Sequence, residues 1–159
     1  MSSETISREL RGAPVAKAIT EELAAQVQEL RAQGVSPKLV IVRIGQKSDD
    51  LTYERAAYTR AEKVGFEVET IELPEDATQE QVNSAFDQVS ADASVHGCLP
   101  MRPFPAGIDE YEALQHLAPE KDVDCATDSM LLATLCGTSG ALGPCTAEAV
   151  LALLDFYQV

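Results

Sequence analysis

The chain lacks several features that point to common functions. It has no tryptophan among its 159 residues, and aromatic residues make up only 5% of it. The phosphate-binding glycine motifs G-x-G-x-x-G and G-x-x-x-x-G-K-[ST] do not occur, so no segment is expected to bind a dinucleotide by itself. Met1–Arg11 is polar, and no apolar run approaches the roughly 20 residues that span a bilayer, so neither a secretory signal nor a membrane helix is predicted.

Metal-binding cysteine patterns are also missing. The four cysteines form no C-x-x-C pair, and neither histidine stands at zinc-ligand spacing from them (Cys98, Cys125, Cys136, Cys145; His96, His116). We therefore expect no metal site and a cytoplasmic protein with reduced thiols.

Basic residues are scarce. Twelve lysines and arginines stand against 26 acidic residues, a net charge of -14, which argues against partners such as nucleic acid or an anionic membrane. Only Arg102 and Lys121 follow Lys63. The earlier basic residues either hold an anionic ligand or form a solvated face, and the pattern fits both.

Helix and strand patterns alternate along the first half of the chain. Apolar residues recur every three or four positions over Pro14–Ala32, which predicts a helix with one buried stripe. Leu39–Ile44 predicts a core strand buried on both faces. A helix capped by Asp49 or Asp50 should follow and end at the next glycine. Phe66–Leu73 alternates apolar and acidic residues, as an edge strand does.

The alternation continues in the second half. Thr78–Gln81 has the form of a capping box and predicts a third helix. A short strand is expected at Val95–Leu99, with the prolines at 100, 103 and 105 in the loop after it, because proline cannot donate to a sheet ladder. We expect a helix at Ile108–Leu117, a polar loop through Asp128, and a final helix capped by Thr146.

This order of elements predicts one α/β domain over residues 1–159, with a three-layer, mostly parallel, doubly wound sheet and flanking helices. Ligands in such folds bind outside the carboxyl ends of the strands. The candidate site therefore lies in the loops at 45–53, 100–105 and 119–128.

Four segments in order carry a family resemblance: LVIVRIGQKSDDLTYERAAYTRAEKVGF, VHGCLPMRPFP, PEKDVD and GPCTAEAV. With them the chain resembles the N-terminal, folate-binding domain of the methylenetetrahydrofolate dehydrogenase/cyclohydrolase family. PEKDVD followed by P-C-T is specific to this family in that order, whereas the strand-glycine-helix segment alone is weak. The resemblance implies tetrahydrofolate as substrate, NAD or NADP as cofactor, and a C-terminal Rossmann domain or separate subunit that binds the nucleotide.

The resemblance also implies binding residues. Tyr53 matches the tyrosine against which the pteridine ring lies, and Asp124 matches the aspartate that holds its polar edge. Both assignments are chemically sensible, since a flat heterocycle stacks on an aromatic ring and a carboxylate accepts two donors from an aminopyrimidine. Without the motifs, Tyr53 reads as a packed helix residue and Asp124 as a solvated turn. Pro103 matches a proline of the loop that shapes the cleft wall.

The match breaks at the residues that serve hydrolysis. The family places a lysine one helical turn after the tyrosine, where it is central to opening the methenyl bridge, and here that position is Ala57. The family's glutamine falls at Met101, which can pack on the pterin but cannot hold a water, and its serine falls at Asp50. Arg55 and Arg60 do not replace the lysine, because helical geometry aims them away from the tyrosine's face or places them nearly two turns on.

These substitutions predict that dehydrogenase chemistry survives while cyclohydrolase activity is lost or weak, because hydride transfer needs mainly orientation of two rings. Catalytic residues stay unassigned. A non-catalytic folate-binding or regulatory module, and a bifunctional enzyme with a substitute acid or base, are the alternatives. The chain ends where the family continues into a nucleotide-binding domain, which leaves a truncated chain, a proteolysed chain and one gene of a split enzyme as open readings. A homodimer is a separate expectation for the assembly.

Overall fold

The computed structural model describes residues 9–159. Its helices and strands alternate in the predicted order: α1 Gly12–Ala32, β1 Lys38–Ile44, α2 Ser48–Val64, β2 Glu67–Leu73, α3 Gln79–Ala91, β3 Gly97–Pro100, α4 Glu110–Leu114, a 3-10 turn Pro119–Lys121, α5 Asp128–Leu135 and α6 Cys145–Tyr157. Over these residues, no helix is both long and apolar enough to cross a membrane.

Three parallel strands form the sheet, in the order β2-β1-β3. The central strand β1 is buried on both faces, as its apolar run predicts: Ile41 and Val42 are fully buried. Strand β2 lies at an edge and alternates exposed and half-buried residues, also as predicted.

Helices cover both faces, which makes the fold the expected three-layer α/β domain. Val40, Val42 and Ile44 pack with the buried residues of α3 in the main core, while Arg43 on the opposite face of β1 contacts α2. This division follows from the alternation of side chains along a strand. Because the crossover through α2 leads to one edge and the crossover through α3 leads to the other, the chain changes direction at β1.

Local signals were correct at several element ends. Thr78 and Gln81 form the predicted capping box at the start of α3. Gly65 ends α2 with a φ of 95°, a left-handed conformation that glycine adopts without steric cost.

Two predicted helix caps are wrong. The N-cap of α2 is Lys47 and makes no side-chain cap bond, so Asp49 and Asp50 lie inside the first turn. Their carboxylates still favour that end of the helix because it is the positive end of the dipole. The N-cap of α6 is Pro144, which places Thr146 in the first turn as well.

The region after β3 also departs from prediction. Pro100 is the last residue of β3 rather than a loop residue, which proline tolerates because β3 is an edge strand. The helix predicted over Ile108–Leu117 is confined to Glu110–Leu114. The polar loop through Asp128 contains a 3-10 turn and is followed by α5, a helix that the sequence patterns did not predict.

Candidate functional site

A cavity of about 330 Å³ opens at the carboxyl ends of β1 and β3. This is where doubly wound sheets bind ligands, next to the strand at which the chain changes direction. Its lining comes from the start of α2, the end of β3 with the following loop, and the PEKDVD segment: Asp49, Asp50, Tyr53, Leu99, Pro100, Met101, Arg102 and Asp124.

Tyr53 stands on the second turn of α2 and contributes the aromatic surface of the cavity. Its side chain is 59% exposed. A tyrosine buried for packing would be covered by neighbours, whereas this ring leaves apolar area free that a flat ligand could cover.

The PEKDVD segment is held in place by two buried charged residues. Lys121 donates to the carbonyl oxygens of Val89 at 2.7 Å, Ser90 at 2.9 Å and Asp92 at 2.6 Å, at the C-terminal end of α3. A cation in this position satisfies carbonyls that have no partner within the helix.

Asp122 is the second buried charge and is fully buried. It accepts hydrogen bonds from three backbone amides: Asp124 at 3.2 Å, Ala126 at 3.0 Å and Thr127 at 2.8 Å. Cys125 between them has a φ of 54°, a left-handed conformation that costs a non-glycine residue about 1 kcal/mol. The turn around Asp122 therefore leaves Asp124 as the carboxylate of this segment that faces the cavity.

Close backbone approach brings this segment against β3. A Cβ atom at Gly97 would lie 2.6 Å from Cγ1 of Val123, which is closer than two carbon atoms can approach. Glycine at position 97 therefore allows Val123, and with it Asp124, to lie beside the strand.

The P-C-T element lies against the same carboxylate. The Cys145 amide donates to Asp124 at 3.4 Å, and the Cys145 thiol donates to the Val123 carbonyl at 3.4 Å. Burial, together with the adjacent Asp124, raises the pKa of Cys145 to about 11. At neutral pH the thiol stays protonated and acts as a hydrogen-bond donor rather than as a nucleophile.

In the loop after β3, Met101 lines the cavity and Pro103 does not. Met101 is 7% exposed, lines the cavity, and its amide donates to the Val42 carbonyl. Pro103 follows a cis peptide bond and is not among the described residues that line the cavity. Its carbonyl accepts from Lys47 at 3.2 Å, which ties this loop to the start of α2.

The position of the family lysine offers no amine. Ala57 is half-buried on α2, one turn after Tyr53. Arg60 points toward α1, where it donates to Thr20 at 3.1 Å.

Arg102 is a cavity residue that the sequence analysis did not single out. It is the cation among the lining residues, and it pairs with Glu110 at 3.2 Å. Its position directly after Met101 in the family's loop motif was a signal for it.

The fold and this cavity define a doubly wound α/β domain with a ligand cleft at its strand ends. The chain belongs to the family described as "Tetrahydrofolate dehydrogenase/cyclohydrolase, catalytic domain", which it matches over residues 10–124. This confirms the resemblance drawn from the motifs.

Individual relatives agree with that membership. The chain is 40% identical over 154 residues to the bifunctional protein FolD of Alkaliphilus oremlandii, covering 97% of this chain and 54% of that protein. The crystal structure of the bifunctional enzyme FolD from Campylobacter jejuni superposes with a TM-score of 0.90 at 28% identity, over 94% of this chain and 53% of the other.

A third comparison concerns a ligand complex. The methylenetetrahydrofolate dehydrogenase-cyclohydrolase of Trypanosoma brucei, crystallised with NADP cofactor and inhibitor, has a TM-score of 0.87 at 33% identity, over 96% of this chain and 52% of that one. The chain thus spans about half the length of the relatives it matches.

Proposed function

We propose that this chain is the folate-binding half of a 5,10-methylenetetrahydrofolate dehydrogenase in one-carbon metabolism, with cyclohydrolase activity lost or weak. The observation that carries the proposal is that Tyr53 and Asp124 line one cavity while the residue one turn after Tyr53 is Ala57. The cavity has the groups to bind a pterin and lacks the amine that hydrolysis uses in the family.

In the proposed complex the pteridine ring lies against Tyr53, and its aminopyrimidine edge donates to Asp124. An aromatic stack adds about 0.5–1.5 kcal/mol beyond the area it buries. Charge-assisted hydrogen bonds to the carboxylate are about twice as strong as neutral ones. Met101 supplies an adaptable apolar wall, and Pro103 shapes the loop behind it without direct contact.

The charge of the cavity lining favours the dehydrogenase direction. Three carboxylates, Asp49, Asp50 and Asp124, face one guanidinium, that of Arg102, which is already paired with Glu110. Removing a hydride from the neutral methylene bridge of the substrate leaves a methenyl bridge with a positive charge. A negative lining stabilises this developing charge, and alanine at position 57 removes a cation that would oppose it.

Hydrolysis of the methenyl bridge has different requirements. It needs a group that accepts a proton from water as the water oxygen bonds to the bridge carbon. Met101 cannot hold such a water, and Ala57 has no proton to exchange. A carboxylate such as Asp50 acting as substitute base is the bifunctional alternative, and the hydrolysis assay below decides it.

The proposed reaction requires a nicotinamide, NAD or NADP, which accepts the hydride. The described residues contain no glycine-rich phosphate loop, so no residue of this chain is assigned to that cofactor. We propose that the cofactor binds to a Rossmann domain or to a separate subunit. The protein is proposed to act in the cytoplasm, and a homodimer is a further proposed assembly. Mass measurement of the complete protein in solution would test the assembly.

Binding is tested with the 159-residue chain, titrated with tetrahydrofolate by calorimetry. Saturable binding that weakens at least roughly tenfold in Tyr53→Ala, the loss of a stacked and partly buried ring, supports the proposal. Tyr111→Ala is the matched control, because that tyrosine is 63% exposed and lies outside the cavity. Absence of saturable binding would remove the folate assignment.

Activity is tested with the complete protein. Oxidation of methylenetetrahydrofolate with either nicotinamide cofactor supports the dehydrogenase. Folate binding without oxidation favours a non-catalytic or regulatory module, and hydrolysis of methenyltetrahydrofolate well above the uncatalysed rate contradicts the loss of the cyclohydrolase.

A further inference from the structure

A buried arginine stands in the central strand close to the cavity. Arg43 is 4% exposed on the face of β1 that is covered by α2. Its guanidinium donates to Glu54 at 2.7 Å, to Glu72 at 3.1 Å and to the carbonyl oxygen of Gly45. Burying a guanidinium is costly unless its donors are satisfied, so this set of partners is needed for Arg43 to occupy the site.

These bonds join α2, which carries part of the cavity lining, to strands β1 and β2. Gly45 is the first residue after β1, Glu54 follows Tyr53 on α2, and Glu72 lies on the edge strand β2. Glu54 is also held from the other side, because its second carboxylate oxygen accepts from the Thr70 hydroxyl at 3.1 Å. Glu72 in turn accepts from Gln46 at 2.8 Å, in the loop before α2.

The start of α2 needs such a connection. Its N-cap, Lys47, makes no side-chain cap bond, and a missing cap commonly weakens a helix end by about 1 kcal/mol. The helix nevertheless carries Asp49, Asp50 and Tyr53 into the cavity. Among the described contacts, Glu54 links this part of the helix to the sheet, through its ion pair with Arg43 and its hydrogen bond with Thr70.

The guanidinium of Arg43 keeps its positive charge in the buried site. Burial by itself lowers the pKa of Arg43, but the hydrogen bonds that it donates to Glu54 and Glu72 outweigh this effect, so that the pKa lies above its ordinary value.

We infer that Arg43 and Glu54 are positioning residues for the folate cleft: together they hold the first two turns of α2 against the end of β1 and so set the place of Tyr53 opposite Asp124. For its ligand the inference rests on the proposed function. The positioning of α2 itself is inferred from the contacts of Arg43 and Glu54 and does not depend on the ligand.

The decisive variant is the double substitution Arg43→Met/Glu54→Leu. Removing one member of a buried pair leaves an unpaired charge, whereas replacing both members with apolar residues is often neutral for stability. The double variant therefore removes the pair without leaving a buried charge, because the remaining carboxylate, Glu72, is half-exposed and still accepts from Gln46. The carbonyl oxygen of Gly45 loses its donor. Glu54→Gln, which keeps size and shape, is the second variant should the double one fold poorly.

Lys38→Met/Glu69→Leu is the matched control. This pair, 2.5 Å apart, also joins β1 to a neighbouring element, and it stands at the opposite end of the strand from the cavity. It tests whether loss of any ion pair on β1 has the same effect.

Three measurements are made on the 159-residue chain: urea unfolding, amide hydrogen exchange over residues 48–54, and calorimetric affinity for tetrahydrofolate. We expect the double variant to stay folded, with a urea midpoint lowered only by the loss of the donor to the Gly45 carbonyl. Its α2 amides should exchange about tenfold faster, and tetrahydrofolate should bind about tenfold more weakly, because local opening and ligand placement share one helix. Glu54→Gln should change both in the same direction by about threefold, since it keeps part of the hydrogen bonding.

Other outcomes overturn the inference. Unchanged exchange contradicts a positioning role, whatever the affinity does, and faster exchange with unchanged affinity shows that the cleft does not need the pair. An equal effect of the control pair also overturns it. If the wild-type chain binds no tetrahydrofolate, the proposed function fails, and the exchange data alone then decide whether the pair positions α2.

Discussion

The Lys121 ammonium lies 2.6 Å from the carbonyl oxygen of Asp92, at the residue that caps the C-terminus of α3. This contact ties the PEKDVD segment to a helix on the far side of the sheet from Tyr53. Lys121 is thus a buried structural residue, three positions before Asp124, which faces the cavity. Placement of Asp124 therefore depends on a helix end that lies outside the cavity lining.

Replacing Lys121 with methionine tests that dependence. The change keeps most of the apolar part of the side chain and leaves the carbonyl oxygens of Val89 and Ser90 without their donor, whereas that of Asp92 still accepts from the Val95 amide. Each buried group that finds no water costs about 1–3 kcal/mol. We expect the free energy of unfolding to fall by about 3 kcal/mol, measured by urea denaturation. Lys63→Met, at an exposed position of α2, should stay within about 0.5 kcal/mol of the wild type.

Restoring the amine should restore hydrolysis in part. In Ala57→Lys the new side chain stands one turn after Tyr53, and we expect hydrolysis of methenyltetrahydrofolate by the complete protein to rise at least roughly tenfold, since a positioned acid or base contributes 10²–10⁴-fold. Ala56→Lys is the control, because position 56 is exposed and turned about 100° around the helix. Equal rates in the two variants would show that position 57 has no special role.

Asp50 should matter for oxidation rather than for binding. Asp50→Asn removes one negative charge from the cavity lining, which weakens stabilisation of the developing methenyl cation by about 1 kcal/mol, or about fivefold in kcat of the complete protein. KM for methylenetetrahydrofolate should change less, because the substrate bridge is neutral. A larger change in KM than in kcat would refute this role. Asp76→Asn, outside the cavity lining, should leave both values unchanged.

Alkaline pH should destabilise the fold through Cys98. Burial raises the pKa of this thiol from 9.0 to about 12, and the neighbouring Asp122 adds to the shift. A folded pKa above the unfolded one means that the stabilisation is complete below pH 9 and is lost as pH rises from 9 toward 12. Urea unfolding at pH 8, 9 and 10 should show a steeper loss for the wild type than for Cys98→Val, and parallel curves would contradict the assignment.

Much of the fold follows from local patterns. The buried run of β1, the acidic alternation of β2 and the capping box of α3 each predict an element by chemistry confined to a few neighbouring residues, and each is present. Helix α5 was missed because its leucines show no periodicity: Leu131, Leu132 and Leu135 are exposed, and Met130 is its buried residue. A helix without a buried stripe has no signature in a pattern of apolar spacing.

The cap errors have a related cause. Asp49 and Thr146 are residues that favour caps, yet the backbone turns into the helix at Lys47 and Pro144 instead. A cap preference is worth about 1 kcal/mol, and contacts with the sheet or with a neighbouring loop outweigh it. Lys47, for example, donates to the carbonyl oxygen of Pro103 in the loop after β3.

The alternation of helices and strands, the family motifs and the missing lysine at position 57 could be read from the sequence alone, because each depends on residues that are close together along the chain. Only the tertiary structure decided that Arg102 and Asp50 share a cavity with Tyr53, that Lys121 and Asp122 turn inward, and that Arg43 pairs with Glu54. These relationships join residues that are distant along the chain. The partners of a buried charge are set by tertiary packing, which brings the two groups together and excludes water from them.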